Sequence, residues 1–119
     1  MGKKGFVLCV CQGTCPSFTK MDIFGVLSDI RREKLFDYVC LHPQLCVGDG
    51  DEFIKALLSG GETEKLYVAG CDPRMQTKMF RDAFEAAGFD KEMHVALDIR
   101  NKTTEEAVEA VKEMAANNP

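Results

Sequence analysis

Residues 5–11, Gly5-Phe-Val-Leu-Cys-Val-Cys11, form an unbroken apolar run that ends at Gln12-Gly13. A short run without polar alternation is the pattern of a strand buried on both faces, as in parallel sheets covered by helices on either side. Reading outward, Ile23, Val26, Leu27 and Ile30 recur at helical spacing within residues 21–34, with Thr19 and Asp22 placed as a capping pair. Residues 36–41 read as a second strand. Asp49 and Glu52 then open a helix with Phe53, Ile54, Leu57 and Leu58 on its apolar side, stopped by Gly60-Gly61. Residues 65–70 make a third strand. Met75, Met79, Phe80, Ala83, Phe84 and Ala87 follow as one helix face, with Gly88 just past the end. Residues 93–99 make a fourth strand. Thr103 and Glu106 form a capping-box signature before Ala107, Val108, Val111, Met114 and Ala115. The tail Asn117-Asn118-Pro119 is polar and expected to fray. Strict alternation of strand and helix requires right-handed crossovers. The predicted fold is therefore α/β, a small parallel sheet of about four strands with helices on both faces, a flavodoxin-like or Rossmann-like three-layer sandwich.

A chain of 119 residues is expected to form one domain over residues 1–119. Its hydrophobic share of 45% and charged share of 29% are those of a soluble globule, and no segment has the length of apolar sequence that a membrane span needs. The apolar run after Lys3 and Lys4 is too short for a signal peptide, which makes the cytoplasm the expected location. A net charge of -4 argues against a nucleic-acid partner. Six cysteines stand out in such a chain. With no export signal and regular strand and helix patterns, they point to metal, cluster or redox use in a reducing compartment rather than to a disulfide framework.

The cysteines fall where this fold class binds ligands, at the carboxyl edge of the sheet. Cys9 and Cys11 end the first strand, Cys46 lies between the second strand and second helix, and Cys71 follows the third strand. Thiolates from several such loops supply the sulfur ligands of an iron-sulfur cluster, and helix N-termini behind Cys46 and Cys71 favour its negative charge. The spacings Cys9-Val-Cys11 and Cys11-x-x-x-Cys15 match neither zinc ribbons nor bacterial ferredoxins. Strand alternation puts Cys9 and Cys11 on one face, and Cys15, before Pro16, could replace either. Cys40, inside the second strand, reads as core, as do Met75 and Met79. His42 shares the loop region of Cys46 and reads as a solvated loop histidine rather than a ligand. Arg74 and Arg100 belong at the same edge, where a guanidinium could donate to sulfur or offset thiolate charge. Gly48-Asp-Gly-Asp51 lacks a lysine and carries two acids, so it is no phosphate loop, and no G-x-G-x-x-G follows the first strand.

The order Phe6-Val-Leu-Cys-Val-Cys11, Cys46 before a helix, Ala69-Gly-Cys-Asp-Pro-Arg74, Ala87-Gly88-Phe89 and Asp98-Ile99-Arg100 resembles the N-terminal domain of the heterodisulfide reductase A subunit. The likeness runs from Phe6 to Arg100, and its most specific piece is the cysteine followed one residue later by Pro-Arg, leading into a helix with Phe80 and Ala83. Cys9 with Cys11 and Val68-Ala-Gly-Cys71 are more weakly similar to the delta subunit of methyl-viologen-reducing hydrogenase, an iron-sulfur protein. The resemblance implies electron transfer in a flavin-containing oxidoreductase complex of anaerobic metabolism. It implies a cluster of the 4Fe-4S type, with Cys9, Cys11, Cys46 and Cys71 as the matching cysteines. That family carries a further cysteine shortly after the Ile-Arg pair, where this chain reads Asn101-Lys-Thr-Thr104. If that cysteine is a ligand, a cluster here recruits Cys15 or is absent. The flavin domain and ferredoxin inserts that complete such reductases are also missing, so the chain is expected to act as a non-catalytic piece beside a flavin-containing or iron-sulfur partner.

Three functions compete for the same cysteines. The leading one is an electron-transfer module holding an iron-sulfur cluster, 4Fe-4S or alternatively 2Fe-2S, with no catalytic residues. The second is thiol-based redox or sulfur-carrier chemistry, with Cys9 or Cys71 as a low-pKa nucleophile and Cys11, Cys15 or Cys46 resolving. The third is a structural zinc site in an interaction module.

Overall fold

The computed structural model describes residues 2–10, 18–45 and 49–119. Gly5 to Cys9 of strand β1 (Lys3–Cys9) and Leu66 to Gly70 of strand β3 (Thr63–Gly70) are buried without a break, as the uninterrupted apolar run requires. These two strands form the centre of a four-stranded sheet in the order β2-β1-β3-β4, in which every pairing is parallel. Strands β2 (Tyr38–His42) and β4 (His94–Asp98) form its edges and are mostly half-buried. Alternation along the strands divides the core in two. Phe6, Leu8 and Val10 of the first segment, with Tyr67 and Ala69 of β3, face helices α1 (Ile23–Glu33) and α4 (Thr104–Asn117), burying Val26, Ile30, Ala107, Val111 and Met114. Val7, Cys9, Leu66 and Val68 face helices α2 (Gly50–Leu58) and α3 (Pro73–Ala87), burying Ile54, Leu58, Phe80, Ala83 and Phe84.

The expected α/β fold is thus present, a flavodoxin-like three-layer sandwich. Right-handed crossovers explain its layering. Passing from β1 to β2 moves across the sheet in one direction and places α1 on one face. Passing from β2 to β3 and on to β4 moves the other way and places α2 and α3 on the opposite face. The reversal occurs at β1, so a crevice opens between the carboxyl ends of β1 and β3, where ligands bind in sheets of this kind.

The helix ends follow local chemistry with two exceptions. Thr103 caps α4 in a complete capping box, its Oγ1 accepting from Glu106 N at 3.2 Å while Glu106 Oε1 accepts from Thr103 N at 2.9 Å. Gly88 ends α3 at φ 70, a left-handed turn that glycine makes without a Cβ clash. The capping pair expected at Thr19 and Asp22 does not form: Asp22 precedes α1 with no side-chain cap, and its carboxylate folds over Gly25 while its N–H donates to Thr104 Oγ1 at 2.8 Å. The tail is tied down rather than frayed. Tyr67 Oη donates to the Asn118 carbonyl, Lys65 Nζ donates to the Pro119 carbonyl at 3.1 Å, and Asn118 closes on Met114 O. Met75 was expected in the core but is 52% exposed, and Gln76 takes its place on the buried face of α3, while Met79 packs against the core as read. Among the described residues no helix is long and apolar enough to cross a membrane.

Candidate functional site

The two described cysteines of the candidate set, Cys9 and Cys71, stand at the switch-point crevice. Cys9 is the last residue of β1, and Cys71 follows β3 immediately, one strand over. Leu8 pairs with Ala69, which brings the Cys9 and Gly70 positions side by side. A Cβ on Gly70 would lie 3.2 Å from both Cys9 Cβ and Cys9 O, so glycine lets the two strand ends close up beneath the cysteines. Cys9 is 5% exposed, and its Sγ accepts the Leu45 N–H at 3.3 Å. Backbone donors of this kind stabilise negative sulfur, as thiolate or as metal ligand. Cys11, Cys15 and Cys46 lie outside the described residues. Among the described residues no three His, Cys, Asp or Glu side chains gather as a metal-binding group.

His42 ends β2 directly beside Cys9 in the sheet register. It was expected to be a solvated loop residue, yet it is 6% exposed. Its Nδ1 accepts from Gln44 N at 3.0 Å, which places the ring proton on Nε2, and Nε2 donates to Asp49 Oδ1 at 3.0 Å. Its ring also packs on Phe53 at 4.8 Å. The buried imidazole therefore clasps both ends of the β2–α2 connection, the segment that carries Leu45 to Cys9 and includes Cys46. This use of the Asp49 carboxylate explains why Asp49 precedes α2 without a side-chain cap. The connection is tight at Gly50, where a Cβ would sit 1.9 Å from the Leu45 carbonyl oxygen. Gly50→Ala is accordingly expected to lower stability by about 1–3 kcal/mol in urea unfolding, the cost of overpacking against backbone. Gly60→Ala, whose Cβ would meet nothing within 4 Å, is expected to stay within about 0.5 kcal/mol of the parent.

The other side of the crevice is held by a network that the sequence reading missed. Gln76, 1% exposed, donates from Nε2 to Cys71 O at 3.1 Å and to Leu97 O at 3.4 Å. Its Oε1 accepts from His94 Nε2 at 3.1 Å. Burial among Phe80 and Phe84 pushes the His94 pKa down to about 4, so this imidazole is neutral at pH 7. The available signal was a polar residue four positions before Phe80 and seven before Ala83, on an otherwise apolar helix face.

Arg74 and Arg100 lie at this edge, and each guanidinium engages an aspartate two residues earlier. Arg100 Nε and Nη2 donate to Asp98 Oδ1 and Oδ2 at 3.0 and 2.7 Å, and Arg74 Nε stands 3.8 Å from Asp72 Oδ1. The bonds from Arg100 hold the Asp98 carboxyl below its usual range, while Asp98, and more weakly Asp72 and Cys71, hold Arg100 protonated. Cys40 sits apart from the crevice. It packs partly buried against the core, its thiol donates to Phe6 O at 3.7 Å, and burial pushes its pKa up to about 11.

No protein-family model matches the chain. It is 32% identical over 79 residues to a heterodisulfide reductase A-like protein of Archaeoglobus profundus, in a match that takes in 60% of this chain and 11% of that protein. The chain thus spans about a tenth of the length of the relative it matches, and the two are distantly similar over that part.

Proposed function

We propose that this chain is an electron-transfer module that holds an iron-sulfur cluster at the carboxyl edge of its sheet. Cys9, Cys11, Cys46 and Cys71 are the ligands in this reading, with Cys15 available in place of either cysteine of the first pair. The observation that carries it is the placement of Cys9 and Cys71 on adjacent strand ends at the switch point, with a backbone N–H already aimed at Cys9 Sγ. The donor set is chemically suited to the group, since thiolates with N–H donors are the usual environment of such clusters. When bound, the cluster supplies one-electron chemistry, and the protein's part is to fix the sulfurs and tune their charge. Leu45 N–H and the helix α3 N-terminus, which begins at Pro73, would lower the cost of negative sulfur. Cys40 has no part in this, because its thiol is held protonated.

The heterodisulfide reductase A-like name of the matched relative supports a redox role, and its length supports a partner. In this reading the chain is non-catalytic, works in a reducing cytoplasm and exchanges electrons with a flavin-containing or iron-sulfur protein. The closeness of Gly70 to Cys9 also favours a second reading, thiol redox or sulfur-carrier chemistry between neighbouring cysteines. A visible spectrum of protein purified without oxygen separates the two. The cluster reading predicts broad absorption that bleaches on reduction, whereas a colourless protein after anaerobic reconstitution would favour thiols or a zinc site.

A further inference from the structure

Cys71 is fixed at three successive points. Gly70 O accepts from Ile99 N at 3.0 Å, Cys71 O accepts from Gln76 Nε2, and Asp72 caps α3 by accepting from Arg74 N at 2.8 Å. The first and last are backbone or capping bonds that any strand-to-helix turn can make. The middle one is different, because it uses a side-chain amide that is 1% exposed on an otherwise apolar helix face. Burying an amide is costly unless its groups are bonded, and here both ends are engaged, Nε2 by two carbonyls and Oε1 by His94. An apolar residue of similar volume would pack α3 on β4 without that requirement. What glutamine adds is a directional hold on the Cys71 peptide.

We infer that Gln76 is a positioning residue for Cys71: its amide sets the orientation of the Cys71 peptide and so of the sulfur at the switch-point crevice. Its meaning for electron transfer rests on the reading of Cys71 as a ligand. The geometry itself does not. His94 anchors the far end of the amide and keeps Nε2 turned toward the carbonyls, but it bonds to Gln76 and not to Cys71.

The test is alkylation of Cys71 by iodoacetamide in the folded, metal-free protein, followed at the peptide level by mass spectrometry. Gln76→Leu, and Gln76→Met as a second variant with an unbranched side chain of similar length, are compared with His94→Phe. A purely structural strut would respond to loss of either end alike. Positioning predicts that both Gln76 variants speed alkylation of Cys71 by about 2- to 10-fold, the span of one hydrogen bond, while His94→Phe changes it by less than about twofold. In cluster-loaded protein the Gln76 variants should also shift the midpoint potential. Unchanged Cys71 reactivity in the folded Gln76 variants, an equal rise in His94→Phe, or failure of both Gln76 variants to fold would each overturn the inference. Absence of iron from the parent protein would instead defeat the proposed function, leaving the alkylation comparison to decide the role of Gln76.

Discussion

Cys71→Ser is expected to abolish uptake of iron and sulfide, while Cys40→Ser leaves it intact. The two residues differ in place and in ionisation. Cys71 follows β3 at the switch-point crevice, beside the strand end that carries Cys9. Cys40 is held within β2, where burial raises its thiol to about 11 and its S–H points at the Phe6 carbonyl. A cluster ligand must be a thiolate, and serine neither ionises near neutral pH nor binds iron as a sulfur does. Cys9→Ser is expected to behave as Cys71→Ser does, with the added loss of the acceptor for Leu45 N–H. Iron and acid-labile sulfide assays after anaerobic reconstitution read the outcome. Full loading of Cys71→Ser, or loss of loading in Cys40→Ser, would require a different ligand set.

The second large effect is on acid stability. The folded protein keeps His94 neutral down to about pH 4, whereas an exposed histidine in the unfolded chain takes a proton near 6.5. Between these values the unfolded state binds more protons, so stability rises with pH. The contribution is complete above about 6.5 and is lost as the pH falls to about 4. With 1.36 kcal/mol per pK unit, the loss attributable to His94 is about 3 kcal/mol, a large share of a domain's stability. The Asp98 carboxyl, held low by Arg100, weakens the fold further only at more acid pH. His94→Gln has no such titration, so its urea-unfolding profile should run flatter than the parent's between pH 6.5 and 4. Parallel profiles for the two proteins would show that His94 is not held neutral by burial.

The fold was legible because its signals are local. The run from Phe6 to Cys9, the Thr103–Glu106 box and the glycine after α3 each express a preference of a few adjacent residues, and the structure uses all three. Alternation of strands and helices then left few arrangements of the sheet. Misreadings arose where one residue's partner is distant in sequence. The Tyr67 hydroxyl that holds Asn118 lies 51 residues from it, and nothing in a polar terminal tripeptide announces that bond. His42 and Asp49 are near neighbours in sequence, but the burial of His42 depends on Phe53 and on the strand end at Cys9. Counting Met75 into the apolar face of α3 placed the stripe about 100° away from where its first turn lies, and hid Gln76.

For the site, sequence reasoning found the right edge of the sheet and two cysteines that the topology brings to neighbouring strand ends. It did not find the buried amide and imidazoles that hold them. Polar groups of that kind are recognisable only once the backbone carbonyl each must satisfy has been located. Arg74 and Arg100 stand at the edge as expected, with their charge directed to Asp72 and Asp98.

The most direct test of the cluster reading is the iron and acid-labile sulfide content of the protein purified and reconstituted without oxygen. The account predicts about four irons and four sulfides per chain. A chain that takes up no iron under those conditions would contradict it, and would turn Cys9 and Cys71 into candidates for thiol or zinc chemistry instead.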